Sequence, residues 1–154
     1  MNCAPPDKSK ILTYAVNVNV RDSHMPVFTL GRVPEILYGP GRLADMPTRL
    51  KAGSRAVVVA DPALRGQGIT ARALELLAKA GIEAQVYDGF AGEPKTADVE
   101  AAAALAIGAN AIVGLGGGSA LDTAKLAACC AVSGLGADAY ELCKTPLPSN
   151  RLTL

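Results

Sequence analysis

Ala111-Ile112-Val113-Gly114-Leu115-Gly116-Gly117-Gly118-Ser119-Ala120-Leu121-Asp122-Thr123-Ala124-Lys125 is the stretch whose reading decides the fold. An apolar run of strand length passes directly into three glycines, and an alanine-rich run of helix formers follows at once. Glycines there permit positive φ and remove each Cβ that would hold a phosphate away from the chain. The helix beginning near Ser119 adds free N–H groups and the equivalent of roughly half a positive charge. The stretch therefore predicts a nucleotide-binding turn. Ser119 and Asp122 also satisfy the S-x-x-D spacing of a capping box, so a purely structural role is open to both side chains. Lys125 reads as helix surface or a local ion pair as readily as a ligand contact.

Upstream of this stretch the chain alternates between strands and helices. Glu83 to Tyr87 reads as a strand, Asp88-Gly89-Phe90-Ala91-Gly92-Glu93-Pro94 as a loop, and the next segment as a helix capped by Thr96 and running to about Ile107. Asp98 in its first turn suits the helix dipole. Arg55 to Ala60 is apolar on both faces, as a strand inside a parallel sheet must be, and ends in Asp61-Pro62. Thr70 to Ala80 carries leucines at helical spacing, with Gly81 as its stop. A helix from Leu43 to Lys51 contains Pro47, tolerable only in a first turn or at a break.

Val27 to Leu30 and Glu35 to Tyr38 read as a hairpin, closed by the Tyr38-Gly39-Pro40-Gly41 break. Residues 1–24 read as a disordered extension, in which Val16 to Val20 alternates like an edge strand and after which Met25 is a possible start. The 25–154 segment is expected to be one doubly wound, mostly parallel α/β domain preceded by that hairpin. Ligands of such sheets sit beyond the carboxyl ends of the strands, where Asp61, Glu93 and the glycine run all fall.

Composition narrows the function classes. The 154 residues carry 15 basic and 14 acidic side chains, with no basic run, which argues against a nucleic-acid or anionic-membrane partner. No apolar run approaches the ~18 residues of a membrane span. Cys3, Cys129, Cys130 and Cys143 follow no pairing pattern and read as small buried or half-buried thiols in a reducing, cytoplasmic setting.

Two common phosphate-binding motifs fit poorly. The dinucleotide fingerprint needs glycine where Ser119 stands, and a Walker loop needs lysine straight after its last glycine. Gly116-Gly117-Gly118-Ser119-Ala120-Leu121-Asp122-Thr123-Ala124-Lys125 instead resembles the G-G-G-S-x-x-D-x-A-K signature of the iron-containing (group III) alcohol dehydrogenases. Tyr38 to Gly41, Val57 to Asp61 and Gly92-Glu93-Pro94 resemble three further motifs of that family, in the same order.

The resemblance implies a Rossmann-like cofactor domain that binds NAD. In it, Asp61 accepts hydrogen bonds from the adenosine ribose and disfavours a 2′-phosphate; as an Asp-Pro pair it also reads as a plain turn starter. Gly117, Gly118 and Ser119 would cradle the pyrophosphate, with Gly116 in the same cofactor-binding turn, Asp122 would lie toward the nicotinamide, and Glu93 would sit beside the cofactor where many relatives carry Asn. The family's divalent iron is held by an Asp and three His of an all-helical domain that follows a T-T-x-x-T-x-S-E stretch. This sequence holds one histidine, His24, and ends at Leu154, so the metal site is expected to be absent and the chain inactive alone.

The family also implies a small alcohol or aldehyde substrate and a homodimer through the N-terminal hairpin. Maleylacetate reductases stay open as a subtype, and glycerol dehydrogenases, which carry Lys where Ser119 stands, match less well. A stand-alone nucleotide-binding or subunit-interaction module is the competing class. Burial of Leu126, Ala127, Cys130 and the Tyr140 to Leu147 segment separates the two.

Overall fold

A computed structural model describes residues 39–90, 92–149 and 152. The expected extension, the hairpin and the dimer surface assigned to it lie outside the described residues. Within them the elements alternate as β1 (Arg55–Ala60), α1 (Ile69–Lys79), β2 (Glu83–Tyr87), α2 (Thr96–Ala106), β3 (Ala111–Leu115) and α3 (Gly118–Ser133), with 3-10 turns at Arg42–Arg49, Pro62–Leu64 and Ala137–Cys143.

The three described strands are parallel and ordered β2-β1-β3. β1 is the middle strand, and its Ala56 to Ala60 are buried, the environment that its unbroken apolar run demands. Side-chain alternation splits that run between two cores. Val57 and Val59 join Ile112 under α2 and α3, whereas Ala56, Val58 and Ala60 join Leu77 and Ile82 on the opposite face. Helices therefore cover both faces, which makes the sheet doubly wound.

Both ends of the β1–β3 ladder are closed by hydrogen bonds. Asn110 Oδ1 accepts from the Arg55 N–H at 2.8 Å while its own N–H donates to the Arg55 carbonyl at 2.8 Å, pinning Ala56 opposite Ala111. At the far end the Asp61 N–H donates to the Leu115 carbonyl at 2.8 Å. The last residue before the glycines is thus tied to the first residue after β1.

α2 and α3 meet through alanine. Ala102, Ala103 and Ala106 of α2 and Ala120, Ala124, Ala127 and Ala128 of α3 are all buried in one cluster, so two helix backbones come close without large side chains between them. α3 also lies low on its own strand. A Cβ at Gly114 would stand 2.9 Å from Leu121 Cδ2 and 3.1 Å from Leu121 Cα, so β3 requires glycine there for packing.

Local departures from expectation have simple causes. Arg42–Arg49 is a 3-10 turn and not an α-helix, because Pro47 inside it has no N–H for an i→i−4 bond. The N-cap of α2 is Lys95 and not Thr96: Asp98 Oδ2 accepts from the Lys95 N–H at 2.8 Å, and the Thr96 hydroxyl reaches Asp138 instead at 3.3 Å. α3 has Gly117 as N-cap with no side-chain cap, so the Ser119/Asp122 capping box is not built. Cys129 and Cys130 are buried thiols as expected, but Cys143 is exposed on the 3-10 turn that leaves α3.

Gly116 carries the tightest constraint. Its φ is +145°, and an added Cβ would stand 2.6 Å from Asp61 Cβ. Gly117, at φ −82°, faces open space. Gly116→Ala is therefore expected to lower stability by about 2–3 kcal/mol, while Gly117→Ala changes it by less than about 0.5 kcal/mol. Urea unfolding of the two variants checks this; equal losses would refute it.

Candidate functional site

β1 continues into α1 on one face of the sheet, whereas β3 continues into α3 on the other. The two chains leave adjacent parallel strands in opposite directions, which opens a crevice at their carboxyl ends, the topological switch point of a doubly wound sheet. Asp61 stands on one lip and Gly116, Gly117, Gly118 and Ser119 form the other. The Asp61–Leu115 hydrogen bond and the close pass of Gly116 hold the lips together.

The glycine lip exposes backbone. Gly117 and Gly118 have nothing within 4 Å of where a Cβ would stand, and both are exposed. The first-turn N–H groups of α3 have no i−4 carbonyl inside the helix and no side-chain cap. A 16-residue helix places its positive end there. The Ser119 hydroxyl makes no hydrogen bond to the described residues, while its carbonyl accepts from the buried Thr123 hydroxyl at 2.7 Å. Backbone donors exposed in this way are the kind of group that can hydrogen-bond an oxyanion.

The opposite lip presents a carboxylate. Asp61 caps the short Pro62–Leu64 turn, its Oδ1 accepting from the Ala63 N–H at 2.9 Å, so the turn-starter reading of Asp-Pro is realised. Its Oδ2 has no partner among the described residues and is free to accept hydroxyl hydrogens.

The remaining expected residues gather farther along. Asp122 lines an open cavity of about 450 Å³ together with Pro94, Lys95, Thr96, Leu126 and Tyr140. Lys125 pairs with Asp122 at 3.0 Å, the local ion pair that its spacing allowed. Glu93 is exposed, makes no hydrogen bond to the described residues and does not line the cavity, although Pro94 beside it does. Among the described residues no group of three or more His, Cys, Asp or Glu side chains comes together to hold a metal ion, and no single helix is long and apolar enough to cross a membrane.

Two features of this region escaped the sequence reading. The Tyr87 hydroxyl donates to Asp98 Oδ1 at 2.8 Å, which joins the end of β2 to the first turn of α2 and brackets the loop that carries Glu93. Burial and the Asp98 carboxylate push the Tyr87 hydroxyl up to about 12. The Lys95 N–H and the Tyr87 hydroxyl hold Asp98 below the usual carboxylate range. The second feature is an ion pair between Arg65, after β1, and Asp88, after β2. Elsewhere, burial pushes the Cys130 thiol up, which suits a packing role in α3.

Comparison with known proteins places this geometry. The family model described as "Iron-containing alcohol dehydrogenase" matches residues 34–154. The sulfoacetaldehyde reductase of Bilophila wadsworthia is 37% identical over 99 residues, which cover 62% of this chain and 26% of that protein. An alcohol dehydrogenase variant from a halo-thermophilic archaeon of a Red Sea brine pool superposes with a TM-score of 0.72 at 26% identity, over 84% of this chain and 36% of that one. A sulfoacetaldehyde reductase of Bifidobacterium kashiwanohense in complex with NAD+ superposes with a TM-score of 0.64 at 21% identity, over 74% of this chain and 31% of that one. The chain thus spans about a quarter to a third of the length of these relatives.

The Tyr87–Asp98 bond has consequences at both ends of the pH scale. Tyr87 is harder to ionise folded than unfolded, so its contribution to stability is present below about pH 10 and is lost as the pH rises toward about 12. Asp98 is easier to ionise folded, so its contribution is present above the ordinary carboxylate range and is lost as the pH falls through its depressed value. A tyrosinate absorbance titration is expected to show a component near pH 12 that Tyr87→Phe removes. An unchanged curve in Tyr87→Phe would refute the assignment.

Proposed function

Because the chain belongs to the iron-containing alcohol dehydrogenase family, we propose that it is the dinucleotide-binding half of an NAD-dependent oxidoreductase acting on small alcohols or aldehydes. The observation that carries this reading is the juxtaposition, across one switch-point crevice, of a half-free Asp61 carboxylate with an uncapped glycine turn. The family uses NAD and iron, and the Bifidobacterium neighbour is a complex with NAD+.

The residues present fit NAD. The space over Gly117 and Gly118 admits a pyrophosphate to the backbone, where the first-turn N–H groups of α3 and the Ser119 hydroxyl would hold its oxygens. Gly116 lets the turn pass beside Asp61, whose Oδ2 would accept from the adenosine ribose hydroxyls. Asp122 and the Pro94 to Thr96 segment, which share a cavity, would face the nicotinamide half, with Glu93 at its margin. NAD when bound supplies the hydride acceptor, and the protein's task is to orient it. The uncapped turn would hold the pyrophosphate and the carboxylate the adenosine ribose, so the nicotinamide is delivered in one direction.

Iron does not fit the described residues, and the 154-residue sequence holds a single histidine against the three that the family's ligand set requires. The reading for this chain alone is therefore binding without turnover. It extends to a cytoplasmic setting, with which the four cysteines of the sequence, spaced in no pairing pattern, are consistent.

Burial bears on the competing module reading. Ala127 and Cys130 are buried, but Leu142 and Leu147 are 85% and 61% exposed in the segment lining the cavity. Exposed leucines in this segment, of which Leu147 lines the cavity, favour a surface that further protein covers over a self-sufficient module.

NADH is expected to titrate into the 154-residue chain in calorimetry, with Asp61→Asn weakening binding roughly tenfold. Gly117→Val, which fills the open space at an extended backbone position, is expected to abolish it while leaving the fold intact. Absence of heat at millimolar NADH would overturn the binding proposal. Alcohol-dependent NADH formation by the iron-supplemented chain would overturn the proposal that it does not turn over.

A further inference from the structure

We propose that the Arg65–Asp88 ion pair sets the nucleotide preference of the site by keeping the guanidinium away from a 2′-phosphate. The inference rests on the reading of the crevice as an NAD site.

The loops that follow β1 and β2, residues 61–68 and 88–94, carry one cation, Arg65, against Asp61, Asp88 and Glu93. Arg65 closes the 3-10 turn that Asp61 opens, so both side chains rise from one short turn at the carboxyl edge of the sheet. An adenosine ribose held by Asp61 therefore lies within the reach of an arginine side chain anchored four residues on. In dinucleotide sites an arginine so placed is the group that receives a 2′-phosphate.

Here the guanidinium is already engaged. Its Nε donates to Asp88 Oδ2 at 3.0 Å, and its Nη2 donates to the same oxygen. Asp88 is the better shielded partner, with 24% of its side chain exposed against 69% for Arg65. The pair spans two strands that are neighbours in the sheet, β1 and β2, and points the guanidinium toward the end of β2. The local balance is two carboxylates, Asp61 and Asp88, to one cation. A 2′-phosphate entering there meets net negative charge, whereas a 2′-hydroxyl meets an acceptor in Asp61.

An ion pair this exposed adds little to stability, so its loss is read in binding rather than in folding. The test compares NADH and NADPH binding, by nucleotide fluorescence, to the wild-type 154-residue chain and to Asp88→Asn, Arg65→Ala and the double variant. Wild type is expected to prefer NADH. Asp88→Asn is expected to tighten NADPH about tenfold with NADH changed by less than about twofold, one repulsion being lost and one ion pair gained. Arg65→Ala alone, which leaves Asp61 and Asp88 with no cation, is expected to weaken NADPH binding further, and in the double variant the gain disappears.

The proposal is overturned if the NADPH to NADH ratio does not move in Asp88→Asn or if the gain survives removal of Arg65. Circular dichroism confirms the fold of each variant, and Asp88→Ser replaces Asp88→Asn if asparagine disturbs the loop. Wild-type protein that binds neither nucleotide would refute the NAD reading itself, and this inference with it. Wild-type protein that binds NADH while the ratio stays fixed across the variants refutes only the inference.

Discussion

The close pass of Gly116 beside Asp61 is the contact on which the rest of the crevice depends. A parallel pair of strands ends there with one hydrogen bond, from the Asp61 N–H to the Leu115 carbonyl. Beyond that bond the two chains must part to opposite faces of the sheet. Only a residue without Cβ turns away at φ +145° with its neighbour's side chain 2.6 Å from where its own would begin. Because the divergence is so abrupt, the first turn of α3 starts next to the carboxylate and not a residue or two farther out. The chemistry of the crevice, amide donors facing a carboxylate acceptor, is a direct result of how sharply the backbone bends.

A second constraint fixes the height of α3. Leu121 and Ala124 sit over Gly114, and the alanines of α2 and α3 face one another. With methyl groups as spacers, the position of the helix follows the backbone of β3 closely, and few rotamers are available to absorb a shift. The exposed N–H groups at its start are thereby held by the packing of its far side. Pre-organisation of this kind lowers what a ligand must spend on ordering the turn.

Much of this was legible in the sequence because the relevant forces are local. β1, β2 and β3 emerge with the bounds expected of apolar runs between turn residues, and α1 and α2 shift by a residue or so. The glycine turn and the main family signature were readable in residues 111–125, and the doubly wound sheet in the alternation of strands and helices upstream of them. What was not readable depends on pairs far apart in the chain or on competition for one hydrogen bond. Lys95 displaces Thr96 as the cap because Asp98 reaches its amide, and Thr96 then turns to Asp138, 42 residues away. Gly114 looks like one more strand glycine until Leu121 is seen above it. Arg65 and Asp88 stand 23 residues apart, and nothing joins them before β1 and β2 are known to be neighbours. The roles of Asp61, Glu93 and Asp122 were read through family resemblance. The structure brings Asp61 to the glycine turn and Asp122 to the adjoining cavity, and leaves Glu93 outside its lining.

The central position of β1 also sets a clock on folding. Its valines are buried between two layers, yet the strand that completes the ladder on its far side begins 55 residues later, at the clamp between Arg55 and Asn110. At synthesis rates of about 5–20 residues per second, that interval is about 3–11 s. During it β1 has only β2 available to pair, and the face destined for α2 and α3 lacks α3 throughout and α2 for most of the time. The sequence that makes the best middle strand is for those seconds the stickiest segment of the nascent chain. α1, which is made before β2, covers the Val58 face early, while the Val57 and Val59 face waits for α2 and α3.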